Sequence, residues 1–272
     1  MPRPEITRWL RTQFFPHMWC PGCGHGIILH SLLRALTDLE KKPEETVIAS
    51  GIGCSSRMPG YINACTVHST HGRSLAFATG IKLAKPELTV IDVMGDGDCS
   101  AIGGNHFIHA CRRNIDITAI VMNNNIYGMT GGQASPTTPE GARATTAPYG
   151  VIDPSFDLCK LAEGAGATFV ARSVVSNPKQ CEKYIVDAIR HKGFSVVEII
   201  STCHTQFGRR NKFRSPIENI NRVKDLSVPQ AKAKDMTPEE LKGKYVTGLF
   251  VNIEAPEYTD QYLSLVDKVK GE

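Results

Sequence analysis

The stretch from Gly95 to Asn125 constrains this chain more than any other. An apolar run over residues 88–94 ends in Gly95-Asp96-Gly97-Asp98, and a second over residues 117–122 ends in Asn123-Asn124-Asn125. Between them, residues 101–113 have the length and pattern of a helix. The order is strand, glycine turn, helix, strand, polar turn. In a parallel sheet such a unit places both turns at the carboxyl ends of their strands, on one edge. The predicted fold class is α/β, a mostly parallel sheet with helices on both faces.

The residue types on that edge carry a chemistry. Gly95 and Gly97 let backbone approach an anionic group closely, and the helix that follows offers free N–H groups and a positive dipole end to a phosphate. Asp96 supplies a hard oxygen and Asn124 another from the neighbouring turn, a pair suited to Mg²⁺ shared with phosphate oxygens. An Asp in a glycine turn is ordinarily only a turn former. Its pairing with an Asn run after the next strand is much more specific.

At 272 residues, 41% hydrophobic and 21% charged, the chain suits one large α/β domain with a substantial core. A net charge of +4 is mild and does not imply nucleic acid. The opening Met1-Pro2-Arg3-Pro4-Glu5 lacks a hydrophobic targeting core, and no apolar run is long enough to span a bilayer, so the expected location is cytoplasmic, with no membrane partner. Nine cysteines, an odd number, argue against a secreted disulfide scaffold and for metal ligands or small buried residues.

Two of them lie in Cys20-Pro21-Gly22-Cys23, ahead of a helical pattern over residues 27–39. Such a pair is open to three readings: a redox dithiol, half of a zinc site, or half of an iron–sulfur site. The dithiol reading is weakened because no strand precedes the pair. Cys54 follows an expected strand over 46–50 and Cys203 follows another over 195–200, which brings both to the edge that carries the phosphate turns. Cluster and structural zinc both stay open from the residues alone, a neighbouring redox cofactor favouring the cluster. Cys99, Cys111, Cys159 and Cys181 fall in helical patterns and are expected to be buried; Cys65 is the reserve candidate should Cys203 lie elsewhere.

The fuller string runs from Gly95-Asp96-Gly97-Asp98 through His106-Phe107-Ile108-His109-Ala110 to Asn124-Asn125-Ile126-Tyr127-Gly128-Met129-Thr130-Gly131-Gly132-Gln133. It resembles the β subunits of 2-oxoacid:ferredoxin oxidoreductases, and the resemblance covers about residues 16–215. It implies the thiamin diphosphate-binding fold of the pyrophosphate-domain type. It implies thiamine diphosphate with Mg²⁺ on Asp96, Asn124 and the Ile126 carbonyl, and a [4Fe–4S] cluster on Cys20, Cys23, Cys54 and Cys203. Cofactor contacts are expected from Ile52, Gly53, Cys54, Ser55, His71, Gly95, Gly97 and Asp98, and from Gly128, Met129, Thr130, Gly131, Gly132 and Gln133. His71 sits just before an expected helix over 74–83. Arg57, in a loop three residues past Cys54, is by default a solvated arginine; the resemblance makes it a candidate to fork onto a substrate carboxylate.

The implied activity is coenzyme A-dependent oxidative decarboxylation of a 2-oxoacid, electrons passing singly through the cluster to ferredoxin. The string Thr205-Gln206-Phe207-Gly208-Arg209-Arg210-Asn211 is most like the 2-oxoglutarate enzymes, whose products are succinyl-CoA and CO₂; pyruvate, or a broad 2-oxoacid range, is second. The family's activating Glu comes from an α subunit, and no Glu here falls in a motif assignable to that role. A heterodimer within an (αβ)₂ assembly is therefore expected. A different class, a zinc-stabilised nucleotide-binding module without redox chemistry, is the contrasting reading.

The remaining segments are less specific. Residues 1–19 read as a surface arm whose Trp9, Phe14, Phe15 and Trp19 need cover from the body or a partner. Residues 135–149 form a long loop at the active site or a subunit interface. Helices are expected over 156–164 and 179–191, strands over 167–171 and 194–200. The basic run 208–214 is a solvated loop or a partner surface. The domain is expected to end near residue 215, with 216–272 a less regular extension, a helix start at 236–241 aside, packing on the domain or on a partner subunit.

Overall fold

The computed structural model describes residues 4–271. Its centre is one eight-stranded sheet. In chain order the strands are β1 (Thr46–Ser50), β2 (Cys65–His68), β3 (Thr89–Gly95), β4 (Thr118–Asn123), β5 (Phe169–Val174), β6 (Ser195–Ile200), β7 (Ser227–Pro229) and β8 (Tyr245–Asn252). In space they lie in the order β2-β1-β3-β4-β6-β5-β8-β7. The pairs from β2 through to β5 are parallel; β8 runs antiparallel to β5, and β7 runs parallel to β8.

A parallel sheet covered on both faces needs strands that are apolar throughout, and β1, β4, β5 and β6 are buried at every position. Alternate residues feed two separate cores. Ile48, Ile91, Ile120 and Val197 point to the face covered by helices His25–Asp38 and Pro178–Arg190. Val47, Val90, Ala119 and Val196 point to the face covered by Ser74–Ala84, Gly104–Arg113 and Leu158–Gly164. The helix His25–Asp38 buries Ile28, Leu29, Leu32, Leu33 and Leu36, the one-sided stripe that its sequence spacing predicts. Pro178–Arg190 opens with proline in its first turn, and the Asn177 side chain accepts the Gln180 N–H.

Strand order reverses direction at β1, which has β2 on one side and β3 on the other. At such a switch point the turns after the two diverging strands frame a crevice at the carboxyl edge. Here those turns begin at Gly51 and end β3 at Gly95. No helix among the described residues is long and apolar enough to cross a membrane.

Three sequence expectations change. The helix expected over 101–113 is split: a π-helical turn, Asp98–Ile102, precedes Gly104–Arg113. The expected irregularity of residues 216–272 fails, because the helices Pro216–Leu226 and Tyr258–Lys270 and the eight-residue β8 lie there. Gly248, at φ +159° in mid-strand, and a register shift against β5 between Val170 and Ala171 break the alternation that otherwise announces a strand. β2 was not expected; it is four residues long and half-exposed at the sheet edge. The aromatic arm finds cover on its own body: Trp9 and Trp19 are buried and the Trp19 indole N–H donates to the Cys54 carbonyl at 2.7 Å, while Phe14 and Phe15 stay exposed.

Candidate functional site

The carboxyl edge at the switch point holds a cleft. The turn after β1 lines it with Ile52, Gly53, Cys54 and Ser55, and the turn after β3 lines it with Gly95, Asp96, Gly97 and Asp98. From beyond β4 come Asn124, Ile126, Tyr127, Gly128, Met129 and Thr130, and exposed His71 stands at the mouth.

Two glycines at this cleft, Gly51 and Gly97, are steric necessities. A Cβ on Gly97 would lie 2.2 Å from the Tyr127 ring, whose hydroxyl donates to the Gly97 carbonyl at 3.3 Å. A Cβ on Gly51 would lie 1.9 Å from Asp98 Oδ2. Asp98 Oδ1 accepts the Gly72 N–H at 2.7 Å and the Ile52 N–H at 3.4 Å, while Oδ2 is buried with no partner among the described residues. Burial pushes the Asp98 carboxyl up, against the pull of those two amides and of His71 and His68. An orphaned acceptor inside a cleft lined by glycine backbone is the signature of a polar ligand's seat.

Asp96 is buried one step deeper. Its Oδ2 accepts hydroxyl donors from Ser135 at 2.5 Å and Thr137 at 2.7 Å, and its Oδ1 has only a long contact, 3.4 Å, from the Asn124 N–H. Burial raises its pKa and these three donors oppose the rise. Asn124 Oδ1 accepts the Ile126 N–H at 3.2 Å, folding residues 124–126 into a tight turn beside Asp96. The three residues expected to share a cation thus line one cleft, and the oxygens they carry are all hard donors.

The expected thiols gather beside the same cleft: Cys23 lies near Cys203, Cys54 and Cys20, and Cys54 lines the cleft itself. A Cβ on Gly128 would sit 3.3 Å from Cys203 Sγ and 3.6 Å from Cys54 Sγ, so the bare Cα brings this loop against both sulfurs. Burial pushes the Cys23 thiol up to about 12, the His25 backbone N–H relieving part of this and repulsion from Cys203, Cys54 and Cys20 adding to it. Burial, then Cys203 and Cys20, push Cys54 up to about 11. Cys203 is also raised by burial, against N–H donation from Phe207 and Gln206. Cys23 therefore feels the other three, and Cys54 feels Cys203 and Cys20, so a cation that neutralised these thiolates would relieve the repulsion. Among the described residues no three of these sulfurs lie within 4.8 Å of one another. The Cys20–Cys23 turn is clamped from outside: Gly22, at φ +78°, abuts Pro216, and its carbonyl accepts the Thr202 hydroxyl at 3.0 Å. Cys65 opens β2, at the opposite end of the strand from this edge, and is exposed; Cys99, Cys111, Cys159 and Cys181 are buried.

Some expected residues lie outside the cleft lining. Arg57 is exposed in the turn Ser55–Tyr61. Gly131, Gly132 and Gln133 form a loop closed on itself: the Gly132 N–H donates to the Tyr127 carbonyl at 2.8 Å, and Gly132 faces Gln206 and Arg210. Other residues enter that sequence reasoning left without a role. Tyr127 stood inside the quoted string. His25 follows the first cysteine pair; its Nδ1 pairs with Ser201 Oγ at 3.0 Å, and burial lowers its pKa to about 4, so the ring lining the cleft is neutral. Ser135 and Thr137 had no sequence signal beyond membership of a long loop.

Comparison with known proteins bears on the family and the fold. Residues 51–199 match the family described as thiamine pyrophosphate enzyme, C-terminal TPP binding domain. The chain is 52% identical to the 2-oxoglutarate synthase subunit KorB of Methanocaldococcus jannaschii, over 97% of this chain and 98% of that protein. It is 44% identical to 2-oxoacid:ferredoxin oxidoreductase 1, subunit beta, of Aeropyrum pernix, over 69% of this chain and 59% of that one. A solved structure of 2-oxoglutarate:ferredoxin oxidoreductase from Magnetococcus marinus, with 2-oxoglutarate, coenzyme A and succinyl-CoA bound, superimposes with a TM-score of 0.87 at 35% identity, covering 100% of this chain and 92% of that one. The chain therefore belongs to the thiamine pyrophosphate enzymes and, among them, to the β subunits of the 2-oxoacid:ferredoxin oxidoreductases.

Proposed function

We propose that this chain carries thiamine diphosphate, Mg²⁺ and one [4Fe–4S] cluster, and serves in the coenzyme A-dependent oxidative decarboxylation of 2-oxoglutarate to succinyl-CoA and CO₂. The observation that carries the proposal is the meeting of two sites at Gly128: a glycine-walled cleft lined by hard oxygens, and the thiols of Cys54 and Cys203, with Cys20 and Cys23 close by. When bound, the cofactor supplies the nucleophilic carbon and the electron sink for decarboxylation, and the cluster accepts electrons one at a time.

The chain's own residues have distinct tasks. Asp96, Asn124 and the Ile126 carbonyl hold the metal that the diphosphate shares. Gly97 leaves room for Tyr127 to stand against the turn, and Asp98 Oδ2 offers an acceptor to a donor on whatever fills the cleft. His71 at the mouth is a hydrogen-bonding group for the reacting end. Cys20, Cys23, Cys54 and Cys203 hold the cluster. Their spacing supports a cluster over the zinc-stabilised module: one tetrahedral zinc, with bonds of about 2.3 Å, would draw the sulfurs to about 3.8 Å from one another, whereas each thiolate of a cluster binds a different iron.

Electrons then leave for ferredoxin, the direction being reversible. Among the described residues no Glu lines the cleft, which supports an α subunit as the source of the activating carboxylate in an (αβ)₂ assembly, expected in the cytoplasm. The names of the relatives and the string 205–211 support 2-oxoglutarate as substrate. Arg57 is the proposed reader of its distal carboxylate.

The test is anaerobic dye reduction by the assembled enzyme across a panel of 2-oxoacids with coenzyme A, alongside iron and sulfide analysis. Turnover led by 2-oxoglutarate, with about four iron and four sulfide per chain, supports the proposal. Preference for pyruvate keeps the chemistry and discards Arg57 as reader. Stoichiometric zinc without iron, and no turnover, would overturn it.

A further inference from the structure

Two hydroxyls from the long loop after β4 close on the buried carboxylate of Asp96, and they do so on one oxygen only. Ser135 and Thr137 are both buried, and both point at Oδ2. A threonine has one proton to give. Thr137 Oγ1 also lies 3.0 Å from Asn123 Oδ1, but that oxygen already accepts the Asn125 backbone N–H at 3.0 Å and the Asn125 side-chain amide at 3.1 Å. With its acceptor capacity met, it leaves the Thr137 proton to the carboxylate at 2.7 Å, the shorter contact.

The loop that presents these hydroxyls is itself anchored to the turn it serves. Thr138 Oγ1 accepts the Ser135 N–H at 2.8 Å and donates to the Asn125 carbonyl at 2.7 Å, and the Asn125 side chain donates to the Thr137 carbonyl at 3.0 Å. Beneath, the Asn123 amide donates to Glu198 Oε1 at 2.7 Å, and Glu198 Oε2 is held by Arg172 Nε at 2.6 Å. From the C-terminal region, the Tyr245 hydroxyl donates to Asn125 Oδ1 at 2.7 Å. A continuous buried network therefore runs from Arg172 through Glu198, Asn123, Asn125 and Thr137 to Asp96.

We propose that Ser135 and Thr137 are positioning residues for the metal carboxylate: by holding Oδ2 they orient Asp96 so that Oδ1 is the oxygen offered to Mg²⁺. The inference rests on the reading of Asp96 as a Mg²⁺ ligand. Partners of this kind, one bond removed from a metal, typically change metal affinity by about 10–100-fold when removed.

The test uses the full-length chain in the assembly with which it purifies, stripped of metal and cofactor with EDTA. Thiamine diphosphate binding is followed by calorimetry as Mg²⁺ is titrated, for Thr137→Val, Thr137→Ser, Ser135→Ala and Asp96→Ala. Thr137→Val and Ser135→Ala are expected to raise the Mg²⁺ needed for half-saturation by about 10–100-fold. Thr137→Ser, which keeps the hydroxyl, is expected to track the parent. A merely structural role would lower the melting temperature without moving the Mg²⁺ midpoint. Parent-like Mg²⁺ dependence in folded Thr137→Val, or Thr137→Ser shifting as far as Thr137→Val, overturns the proposal. Ser135→Ala makes the same comparison should Thr137→Val fail to fold. If Asp96→Ala abolishes binding while the hydroxyl variants titrate like the parent, only the positioning role is overturned. If Asp96→Ala still binds in a Mg²⁺-dependent way, the metal assignment falls and the proposal with it.

Discussion

Replacing Arg172 by methionine strips the charge from the most deeply buried ion pair of the sheet. Arg172 sits on β5 with Nε 2.6 Å from Glu198 Oε2 on the neighbouring strand β6, and a second nitrogen bonds to Asp157. Its side chain is 7% exposed and that of Glu198 2%. Against burial, which pulls it down, Glu198 and the other anionic groups hold the Arg172 guanidinium well above its usual range. Removing one partner of such a pair strands the other and costs about 3–5 kcal/mol. For a chain of 272 residues the entropy of unfolding is about 0.6 kcal/mol/K, so the expected fall in Tm is about 5–9 °C. The double variant Arg172→Met with Glu198→Gln removes the stranded charge and keeps an acceptor for the Asn123 amide. It is expected to recover at least half of the loss, as groups in one network are not additive. Thermal melts by circular dichroism at constant pH measure both. A single-variant loss below about 2 °C, or a double variant no better than Arg172→Met, would refute the reasoning.

Two further outcomes follow from the packing. Gly97→Ala forces a Cβ to within 2.2 Å of the Tyr127 ring and is expected to weaken thiamine diphosphate binding by about 10–100-fold, whereas Gly104→Ala, with nothing within 4 Å, leaves calorimetric affinity unchanged. Asp92 is buried on β3 with Ser74 bonded to Oδ2 and no partner for Oδ1 among the described residues, and burial pushes its carboxyl well above the ordinary value. A carboxyl raised in the folded state gives stability that is full below its unfolded pKa and lost as pH rises toward the folded one. Asp92→Asn is therefore expected to flatten the fall in Tm with rising pH; an identical pH profile in the variant contradicts this.

How much was legible follows from the physics of each element. β1, β3, β4 and β6 announced themselves because a strand covered on both faces must be mostly apolar at successive positions, interrupted here only by such groups as Asp92 and Glu198, and the turns behind them carried Gly95, Asp96, Asn124, Cys54 and Cys203 to one edge. β2 is too short and half-exposed to leave a pattern, and Gly248 divides β8. The hydroxyls on Asp96 come from 39 and 41 residues away, in backbone without periodicity, so no local signal points to them. His25 and Tyr127 were visible as residues, but their roles depend on neighbours brought by folding: Ser201 for one, the bare Cα of Gly97 for the other.

The antiparallel pairing of β8 with β5 has a consequence for how the protein is made. β5 is finished by Val174, but the strand that covers its outer side begins at Tyr245. While the intervening residues are still being synthesised, the nascent sheet shows an unpaired edge of a strand that is buried at every position in the finished fold. The last pairing is also a long-range one and so closes slowly. The vulnerable moment for this protein is thus translational: conditions that stall elongation between Val174 and Tyr245 leave a sticky edge, and a chaperone that shields β5 during that interval would raise the yield of correctly folded chain without touching the finished structure.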